Sequence, residues 1–216
     1  MITVFGRPDS SAVARTMWTI GELGLAHQRI DWGGGFGGND DPAFRAMSPA
    51  GRIPAVRFDD GRTLFESNAI IRFLAATHDP GGLMPTDPFA RAEAEAWMEW
   101  SGAFERAVSR IRDAYRAPGA TADAAAAAAA REMATFHVLM TRLQGRAFVM
   151  GDRLTIADLA LGVWAHRLGR CPPECALPEM PAFSEWLSRL NARPSFVQHV
   201  AQIVSAGPQR LGGATT

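Results

Sequence analysis

The chain of 216 residues carries 22 acidic and 22 basic side chains, and 47% of its residues are hydrophobic. This composition is typical of a soluble globular protein with one large domain or two small ones, and the neutral net charge argues against nucleic acid or an anionic membrane surface as a partner. All 22 basic residues are arginine, which excludes a Schiff-base lysine and the lysine of a P-loop.

Membrane, export and metal signals are also missing from the sequence. No apolar run approaches the roughly 20 residues of a membrane span. The first ten residues lack the charged-then-apolar layout of a signal peptide, so we expect a cytoplasmic protein with no membrane partner. The two cysteines, Cys171 and Cys175, have neither C-x-x-C spacing nor a second ligand pair, and we expect neither dithiol chemistry nor a metal site.

The first 78 residues alternate between strand and helix patterns. Their order, βαβαββα, predicts a mixed sheet, because strands joined by a helix run parallel and the strands of a hairpin run antiparallel. The predicted elements are a strand at 2–5, a helix at 11–24 that stops at Gly24, a strand at 27–31, a short helix from Pro42 to about Met47, a hairpin of 54–58 and 63–65, and a helix at 67–78 with Ser67 as its N-cap.

The rest of the chain has helical periodicity or helix-forming composition. Residues 79–88, rich in proline and glycine, predict a linker between domains at 1–78 and 89–216. The predicted helices of the second domain are 89–116, 121–144 with its run of seven alanines, 155–168, about 179–192 and 194–205. Thr155 and Asp158 match a capping box, so we interpret Asp158 as structural.

The run 33-GGGFGG-38 raises the question of a nucleotide loop. Glycines at 33, 35 and 38 fit the G-x-G-x-x-G spacing, but Asp40, Asp41 and Pro42 stand where a helix should open, and two aspartates would repel a phosphate. We therefore predict no nucleotide cofactor. Glycine's tolerance of positive φ predicts a mobile, permissive loop here instead.

Four motifs carry a family resemblance when they are taken in this order and spacing. They are 6-GRPDSSAVARTMW-18, 48-SPAGRIPAV-56, 65-FESNAIIRFL-74 and 151-GDRLTIADLAL-161. With a βαβαββα domain before an all-helical one, the chain resembles the cytosolic glutathione transferases. The run IDxGGxFGG is similar to a bacterial subgroup of serine-type transferases. The resemblance implies a thioredoxin-like first domain, glutathione as co-substrate and a homodimer.

The resemblance also implies which residues bind glutathione. Pro54 would be cis, and the backbone N–H and C=O of Ile53 would pair with the cysteinyl part of glutathione. A helix N-terminus at Ser67 is a ready carboxylate site, and Glu66 beside it can hold an ammonium group, which fits the γ-glutamyl end. Arg52 would neutralise the glycine carboxylate. Taken alone, these residues also fit a plain strand start, a helix cap and a solvated arginine.

A serine near the start of the first helix is expected to activate the thiol. A hydroxyl that donates a hydrogen bond to sulfur favours the thiolate, and the helix N-terminus adds partial positive charge. Alignment with the family pattern selects Ser10, with Ser11 as the alternative; both can also be simple caps. Asp9 stands where relatives have asparagine, and its charge opposes a nearby thiolate. With neither cysteine nor tyrosine in this slot, the resemblance argues against disulfide-type and tyrosine-type chemistry.

The electrophile is expected to bind between the domains, facing the helix at 89–116. Trp97, Trp100, Ser101 and Phe104 follow one another at helical spacing, and we take Trp100 and Phe104 as pocket residues, with core packing as the alternative. The roles of Trp164 and His166 are left open. Phe36, the one large side chain of the glycine run, would close over glutathione, contact a partner subunit or anchor the loop to the core.

The sequence thus predicts a glutathione transferase that conjugates glutathione to a small hydrophobic electrophile or reduces a peroxide with it. Two alternatives stay open. One is a glutathione-dependent isomerase, which would differ in the substrate pocket. The other is a non-catalytic member of the fold used for binding or interaction, although such members typically lose the serine or the Glu-Ser pair.

Overall fold

The computed structural model describes residues 1–204 and contains a four-stranded mixed sheet with the strand order β2-β1-β3-β4. β1 runs parallel to β2 and antiparallel to β3, and β3 pairs with β4 as a hairpin, which confirms the predicted mixed sheet. The strands are β1 (Ile2–Phe5), β2 (His27–Ile30), β3 (Ala55–Arg57) and β4 (Thr63–Phe65). Central β1 is buried along its length, whereas edge strand β2 alternates between half-buried and exposed residues.

Helices cover both faces of this sheet. α1 (Ser11–Glu22) and α3 (Ser67–His78) share one face, where β-branched and leucine side chains of the strands and helices form one cluster: Val4, Val13, Ile20, Val56, Ile70 and Leu74. α2 (Pro42–Met47) covers the other face through Phe44, which packs with Phe5 and Ala55. The sheet is therefore the middle layer of a three-layer α/β unit.

The start of α3 differs by one residue from the prediction. Ser67 is the first helical residue, and Glu66 occupies the cap with φ at 64°. A non-glycine residue in this left-handed region costs on the order of 1 kcal/mol. Residues with such strained backbones cluster at active and ligand-binding sites. Glu66 therefore occupies the N-cap position and makes no side-chain capping hydrogen bond, and the predicted N-cap role of Ser67 is wrong.

The remaining elements are helical. They are α4 (Pro88–Arg116), α5 (Ala122–Leu143), α6 (Ile156–Leu168), α7 (Pro181–Asn191) and a C-terminal helical segment made of Pro194–Phe196, a π-helical turn Val197–Ala201, and Gln202–Val204. Asp87 caps α4 and Thr121 caps α5 through side-chain hydrogen bonds, which explains why both begin beside the predicted positions. The predicted end of the last helix, residue 205, lies outside the described residues, and the division of the chain at 79–88 stays a prediction.

The capping box of α6 is confirmed, and it reaches beyond its own helix. Asp158 is fully buried and accepts hydrogen bonds from the backbone N–H of Val149 and Thr155 and from Nε1 of Trp186, each at 2.9 Å. Burial raises the pKa of Asp158 to about 6, and the hydrogen bonds act in the opposite direction because they favour the carboxylate. Asp158 thus ties α6 to the preceding loop and to α7.

The α/β unit and the helical part meet along α1. Trp18 is fully buried there, and a Cβ added to Gly162 of α6 would lie 2.7 Å from the Trp18 ring, so the glycine permits close packing. Nε1 of Trp18 donates to Glu22 at 2.7 Å, and Glu22 also pairs with Arg193 from the C-terminal end of the chain. This seam fixes α1, and with it the residues that precede α1, against α6.

Across residues 1–204, no helix combines the length and the apolar character that a membrane crossing requires.

Candidate active site

Two clefts open at the junction of α1, α3, α4 and α6. The first, which we name the Ile53 cleft, has a volume of about 350 Å³ and is lined by residues before β3, at the start of α3 and along α4, among them Arg52, Ile53, Pro54, Glu66, Ser67 and Asn68. The second, the arginine cleft, has a volume of about 450 Å³ and is lined by Arg7, Asp9, Ser10, Ser11, Arg112, Arg116, Trp164 and Arg167. Ala12 and Glu105 line both clefts, so the two are neighbours.

The backbone of Ile53 is available for pairing inside its cleft. The Ile53–Pro54 peptide bond is cis, as the resemblance implies. Neither the N–H nor the C=O of Ile53 forms a hydrogen bond with another residue in the range 1–204. Because polar backbone groups are rarely left without a partner, this pair suits an extended peptide ligand.

Glu66 and Ser67 meet the same cleft from the start of α3. The Glu66 side chain is exposed, whereas Ser67 is 8% exposed and stands in the first turn, where backbone N–H groups have no acceptor within the helix. A helix N-terminus with a nearby hydroxyl suits a carboxylate, and a free glutamate suits an ammonium group. The two residues therefore form adjacent sites of opposite charge preference.

Arg52 stands at the rim of the Ile53 cleft. Its backbone is fixed by Ser48, whose hydroxyl donates to the Arg52 carbonyl at 2.8 Å and accepts from the Arg52 N–H at 3.3 Å. Its side chain is exposed, and no carboxylate lies within 4.0 Å of it in the part of the chain that the structure describes. The guanidinium group is thus free to meet an anion at the rim.

A buried arginine lines the Ile53 cleft and bonds to Glu105, the acidic residue that lines both clefts. Arg15 of α1 is 4% exposed and donates to Asn68 Oδ1 of α3 at 3.1 Å and to Glu105 Oε2 of α4 at 3.0 Å. Burial lowers the pKa of Arg15, and the charge of Glu105 offsets part of that effect. Sequence reasoning missed these three residues. A charged side chain within the otherwise apolar run of α1 is the signal that could have pointed to Arg15.

Both candidate serines lie in the arginine cleft. Ser10 is the N-cap of α1, and its Oγ accepts from the Val13 N–H at 3.4 Å. Since a capping hydroxyl only accepts in this bond, its own hydrogen stays available to donate to a ligand. Ser11 is the first helical residue, and like Ser10 it is half-buried. Capping and thiol activation are therefore compatible at Ser10.

The charge of Asp9 is largely balanced by neighbours. Its carboxylate pairs with Arg7, with 2.7 Å between Oδ1 and Nη1, and its carbonyl accepts from Arg167 Nη2 at 3.0 Å. An unpaired Asp9 carboxylate would oppose a nearby thiolate, because like charges repel. The ion pair with Arg7 weakens that repulsion.

Trp100 and Phe104 do not line either cleft. Phe104 is 1% exposed in the helical core and packs against Phe136, with 5.9 Å between ring centroids, while Trp100 is partly buried and stacks on Phe104 at 6.0 Å. The stripe that begins at Trp97 therefore packs into the core, which was the alternative interpretation. Only Ser101 of that stripe reaches a cleft, at the edge of the Ile53 cleft.

The glycine run lines neither cleft but lies next to Ile53 and Arg7, which do, and Trp32 anchors it. Gly33, Gly34, Gly37 and Gly38 all have positive φ, which confirms that the run needs glycine, and Gly34–Phe36 forms a 3-10 turn. Trp32 packs against Phe5 with 5.7 Å between ring centroids, whereas Phe36 is 60% exposed. Anchoring of the loop by Phe36 is thus excluded, because the neighbouring tryptophan fills that place.

The cysteines and the acidic side chains form no evident redox or metal site. Cys171 and Cys175 are free thiols, and burial raises the pKa of Cys171 to about 12, so this thiol is protonated at neutral pH. Within the described residues, no three His, Cys, Asp or Glu side chains are grouped so that they could hold a metal ion.

Comparison with known proteins gives consistent matches along the chain. Residues 9–77 match the family model described as the glutathione S-transferase N-terminal domain, and residues 97–194 match that of the glutathione S-transferase C-terminal domain. Glutathione S-transferase GstB of Escherichia coli K12 is 34% identical over 200 residues, covering 90% of this chain and 95% of the relative.

Two further relatives match most of the chain, and one of them was solved with glutathione bound. The theta class glutathione S-transferase of Xanthomonas axonopodis pv. citri, solved with glutathione bound, superposes with a TM-score of 0.81 at 33% identity and covers 94% of this chain and 98% of that one. The disulfide-bond oxidoreductase YfcG of Escherichia coli K12 is 27% identical over 203 residues, covering 90% of this chain and 92% of the relative.

Proposed function

The chain belongs to the glutathione S-transferase family, and on this premise we propose that it binds glutathione in the Ile53 cleft and conjugates the tripeptide, through its cysteine sulfur, to an electrophile held in the arginine cleft. One observation carries the proposal: three groups that suit glutathione line the same cleft. They are the Ile53 backbone, the N-terminus of α3 and Glu66, which has no ion-pair partner among the described residues. A solved relative with glutathione bound at 33% identity supports the choice of ligand.

Each part of glutathione has a chemical counterpart in the Ile53 cleft. The γ-glutamyl end carries an ammonium and a carboxylate on one carbon, and it matches Glu66 beside the first turn of α3. The cysteinyl residue pairs with the N–H and C=O of Ile53 in the manner of an added strand. The glycine carboxylate meets the guanidinium of Arg52.

Ser10 is proposed to stabilise the thiolate. The Oγ hydrogen that capping leaves free donates to the sulfur, and the positive end of α1 acts in the same direction. Lowering the thiol pKa by one unit corresponds to about 1.4 kcal/mol, which one hydrogen bond to a charged group supplies. Ser11 is the alternative donor. In either case the serine acts as a hydrogen-bond donor and forms no covalent intermediate.

The experiment combines retention on immobilised glutathione with turnover of a generic aromatic halide. We expect the wild type to be retained, and Ser10→Ala to lower kcat/KM about 10- to 100-fold, since one hydrogen bond to a charge is lost. The pH at which the rate reaches half its plateau should rise in Ser10→Ala. Ser11→Ala is the matched control, with an expected change below threefold.

Two results would contradict this proposal in different ways. If the wild type is neither retained by glutathione nor turns over any electrophile, the chain is a non-catalytic member of the fold. If Ser11→Ala shows the loss and the pH shift in place of Ser10→Ala, the roles of the two serines are exchanged. A cytoplasmic location, a homodimer, and reduction of peroxides are further parts of the proposal, and glutathione-dependent isomerisation is the alternative activity.

A further inference from the structure

The arginine cleft holds three cations without a carboxylate partner. Arg7 pairs with Asp9, and Glu105 pairs with Arg15, so both acidic side chains of the cleft are already engaged. Arg112, Arg116 and Arg167 have no carboxylate within 4.0 Å anywhere in residues 1–204. Three guanidinium groups without a carboxylate partner give the cleft a positive potential, and low-dielectric walls strengthen such a field. Arg167 is partly engaged, because its Nη2 donates to the Asp9 carbonyl at 3.0 Å.

Buried donors in the same cleft also lack acceptors. Nε of Arg167 and Nε1 of Trp164 are both buried and form no hydrogen bond with any described residue, and Trp164 as a whole is 8% exposed. Buried donors without partners are destabilising. Both atoms are inaccessible from the cleft, as are the unpaired Nε of Arg15 and Nε1 of Trp32, so the groups that can meet a ligand are the partly exposed arginine side chains.

The arginines are held close together by a tryptophan. Arg112 and Arg116 lie one turn apart on α4, and Arg167 comes from α6. The guanidinium carbons of Arg112 and Arg167 lie 5.8 and 5.3 Å from the centroid of the Trp164 ring. Burial, followed by the charges of Arg112 and Arg116, lowers the pKa of Arg167 to about 10, so the cations repel one another and a bound anion would relieve that repulsion.

We propose that the electrophile accepted by this protein carries a carboxylate, which Arg112, Arg116 and Arg167 bind while its reactive carbon faces Ser10. This rests on the proposed function, and it replaces the hydrophobic electrophile expected from the sequence. In the reaction the thiol has already lost its proton to solvent. The sulfur then forms a bond to the electrophilic carbon, and the halide leaves with the electron pair of the broken carbon–halogen bond.

The test compares 4-chloro-3,5-dinitrobenzoate with its methyl ester, which differ by one charge at nearly the same size. Each kcat/KM is divided by the spontaneous rate with glutathione, so that chemical reactivity cancels. We expect the acid to be preferred by at least about tenfold, which corresponds to one charge-assisted hydrogen bond. The preference should shrink as salt is added, because screening weakens attraction between charges.

Substitutions in the arginine cleft test whether its arginines cause the preference for the acid. In Arg112→Gln/Arg116→Gln the acid-to-ester ratio should fall about tenfold or more, and Arg112→Lys/Arg116→Lys should restore part of it. Arg131→Gln removes an exposed arginine of α5 that lines neither cleft, and it should leave the ratio unchanged. Equal rates for acid and ester in the wild type, or a preference that survives the double Gln substitution, would overturn the inference.

Binding measured without turnover separates this inference from the proposed function. Quenching of tryptophan fluorescence by the acid and by the ester is compared in protein saturated with S-methylglutathione, which cannot react. Tighter binding of the acid that is lost in the Gln variant supports the inference even if no turnover is found. Equal affinities overturn it even if the protein is an active transferase.

Discussion

The Ile53 cleft and the arginine cleft share a wall and are built in different ways. The Ile53 cleft offers backbone groups, a helix N-terminus and three glutamates, of which only Glu66 has no ion-pair partner within the described residues. The buried Arg15 beside it pairs with Glu105 and donates to Asn68. The arginine cleft offers side chains from three distant parts of the sequence, and most of its positive charge is unpaired. The backbone groups of the Ile53 cleft come from short sequence motifs. The arginine cleft, in contrast, forms only where α1, α4 and α6 pack together.

The largest expected effect comes from removing Arg15, which holds Glu105 at the boundary of the two clefts. In Arg15→Met, Asn68 and Glu105 lose their shared donor, and the free energy of unfolding should fall by about 2–3 kcal/mol, less than for a fully buried pair because Glu105 is partly exposed. Both clefts should weaken together, with a higher KM for glutathione and a lower acid-to-ester ratio. Urea unfolding and steady-state kinetics measure these changes.

Arg72→Met is the matched control for that variant. Arg72 of α3 also pairs with a glutamate of α4, Glu99, but Glu99 is largely exposed. Loss of this surface pair should cost below about 1 kcal/mol. A similar loss of stability in the two variants would show that the Arg15 network is not a special connection between the clefts.

The next largest effect is the loss of stability at acid pH that we expect from His166 of α6. Burial, followed by the charges of Arg170 and Arg167, lowers the pKa of His166 to about 4. The unfolded chain therefore binds a proton near pH 6.5 and the folded protein only near pH 4, so stability falls as the pH drops through this window. Between pH 7 and pH 4.5 the contribution lost should be about 2 kcal/mol.

The difference between wild type and His166→Gln isolates that contribution. Asp158 acts in the opposite direction, because its raised pKa makes stability fall as the pH rises from about 4 to about 6, but it is present in both proteins. Urea unfolding at the two pH values should show a smaller acid loss in the variant. Parallel losses in both proteins would mean that His166 is protonated in the folded state.

A smaller effect should separate the two clefts. Glu66→Gln removes the charge expected to hold the glutathione ammonium, and KM for glutathione should rise about tenfold, with little change in kcat. The acid-to-ester ratio should stay at the wild-type value, since Glu66 lines only the Ile53 cleft. Glu185→Gln removes an exposed charge of α7 and should change neither KM for glutathione nor the acid-to-ester ratio. A changed acid-to-ester ratio in Glu66→Gln would show that the two clefts act as one binding site.

The smallest effect is expected at Phe36. Its 60% exposure leaves closure over glutathione or contact with a partner subunit as its predicted roles. If it covers part of glutathione, Phe36→Ala should raise KM for glutathione about threefold, because a fraction of a ring's apolar area is lost. Phe89→Ala, which truncates a ring that is 80% exposed, is the control. An unchanged KM together with a shift in sedimentation would assign Phe36 to a subunit contact.

The local parts of the fold and site could be predicted, and the parts that depend on distant residues could not. The helix at Pro42, the hairpin at 59–61 and the Asp158 capping box each follow from a few neighbouring residues. The cap of α3 differs by one position from the prediction, because the residue types at 66 and 67 do not reveal the positive φ of Glu66. The pocket role predicted for Trp100 and Phe104 differs from their core packing, because periodicity shows that a helix face is buried but not what covers it.

By itself the sequence determined the order of the elements, the motifs of the Ile53 cleft and the exclusion of lysine-dependent chemistry, because these depend on residue types and on spacings of a few positions. The tertiary structure alone decided that Arg15 bonds to Glu105 at the boundary of the two clefts, that Trp32 rather than Phe36 anchors the glycine run, and that Arg112, Arg116 and Arg167 share one cleft. The physical reason is that the pairing of charges and the burial of rings depend on which helices meet, and residues about 50 to 160 positions apart meet only after folding.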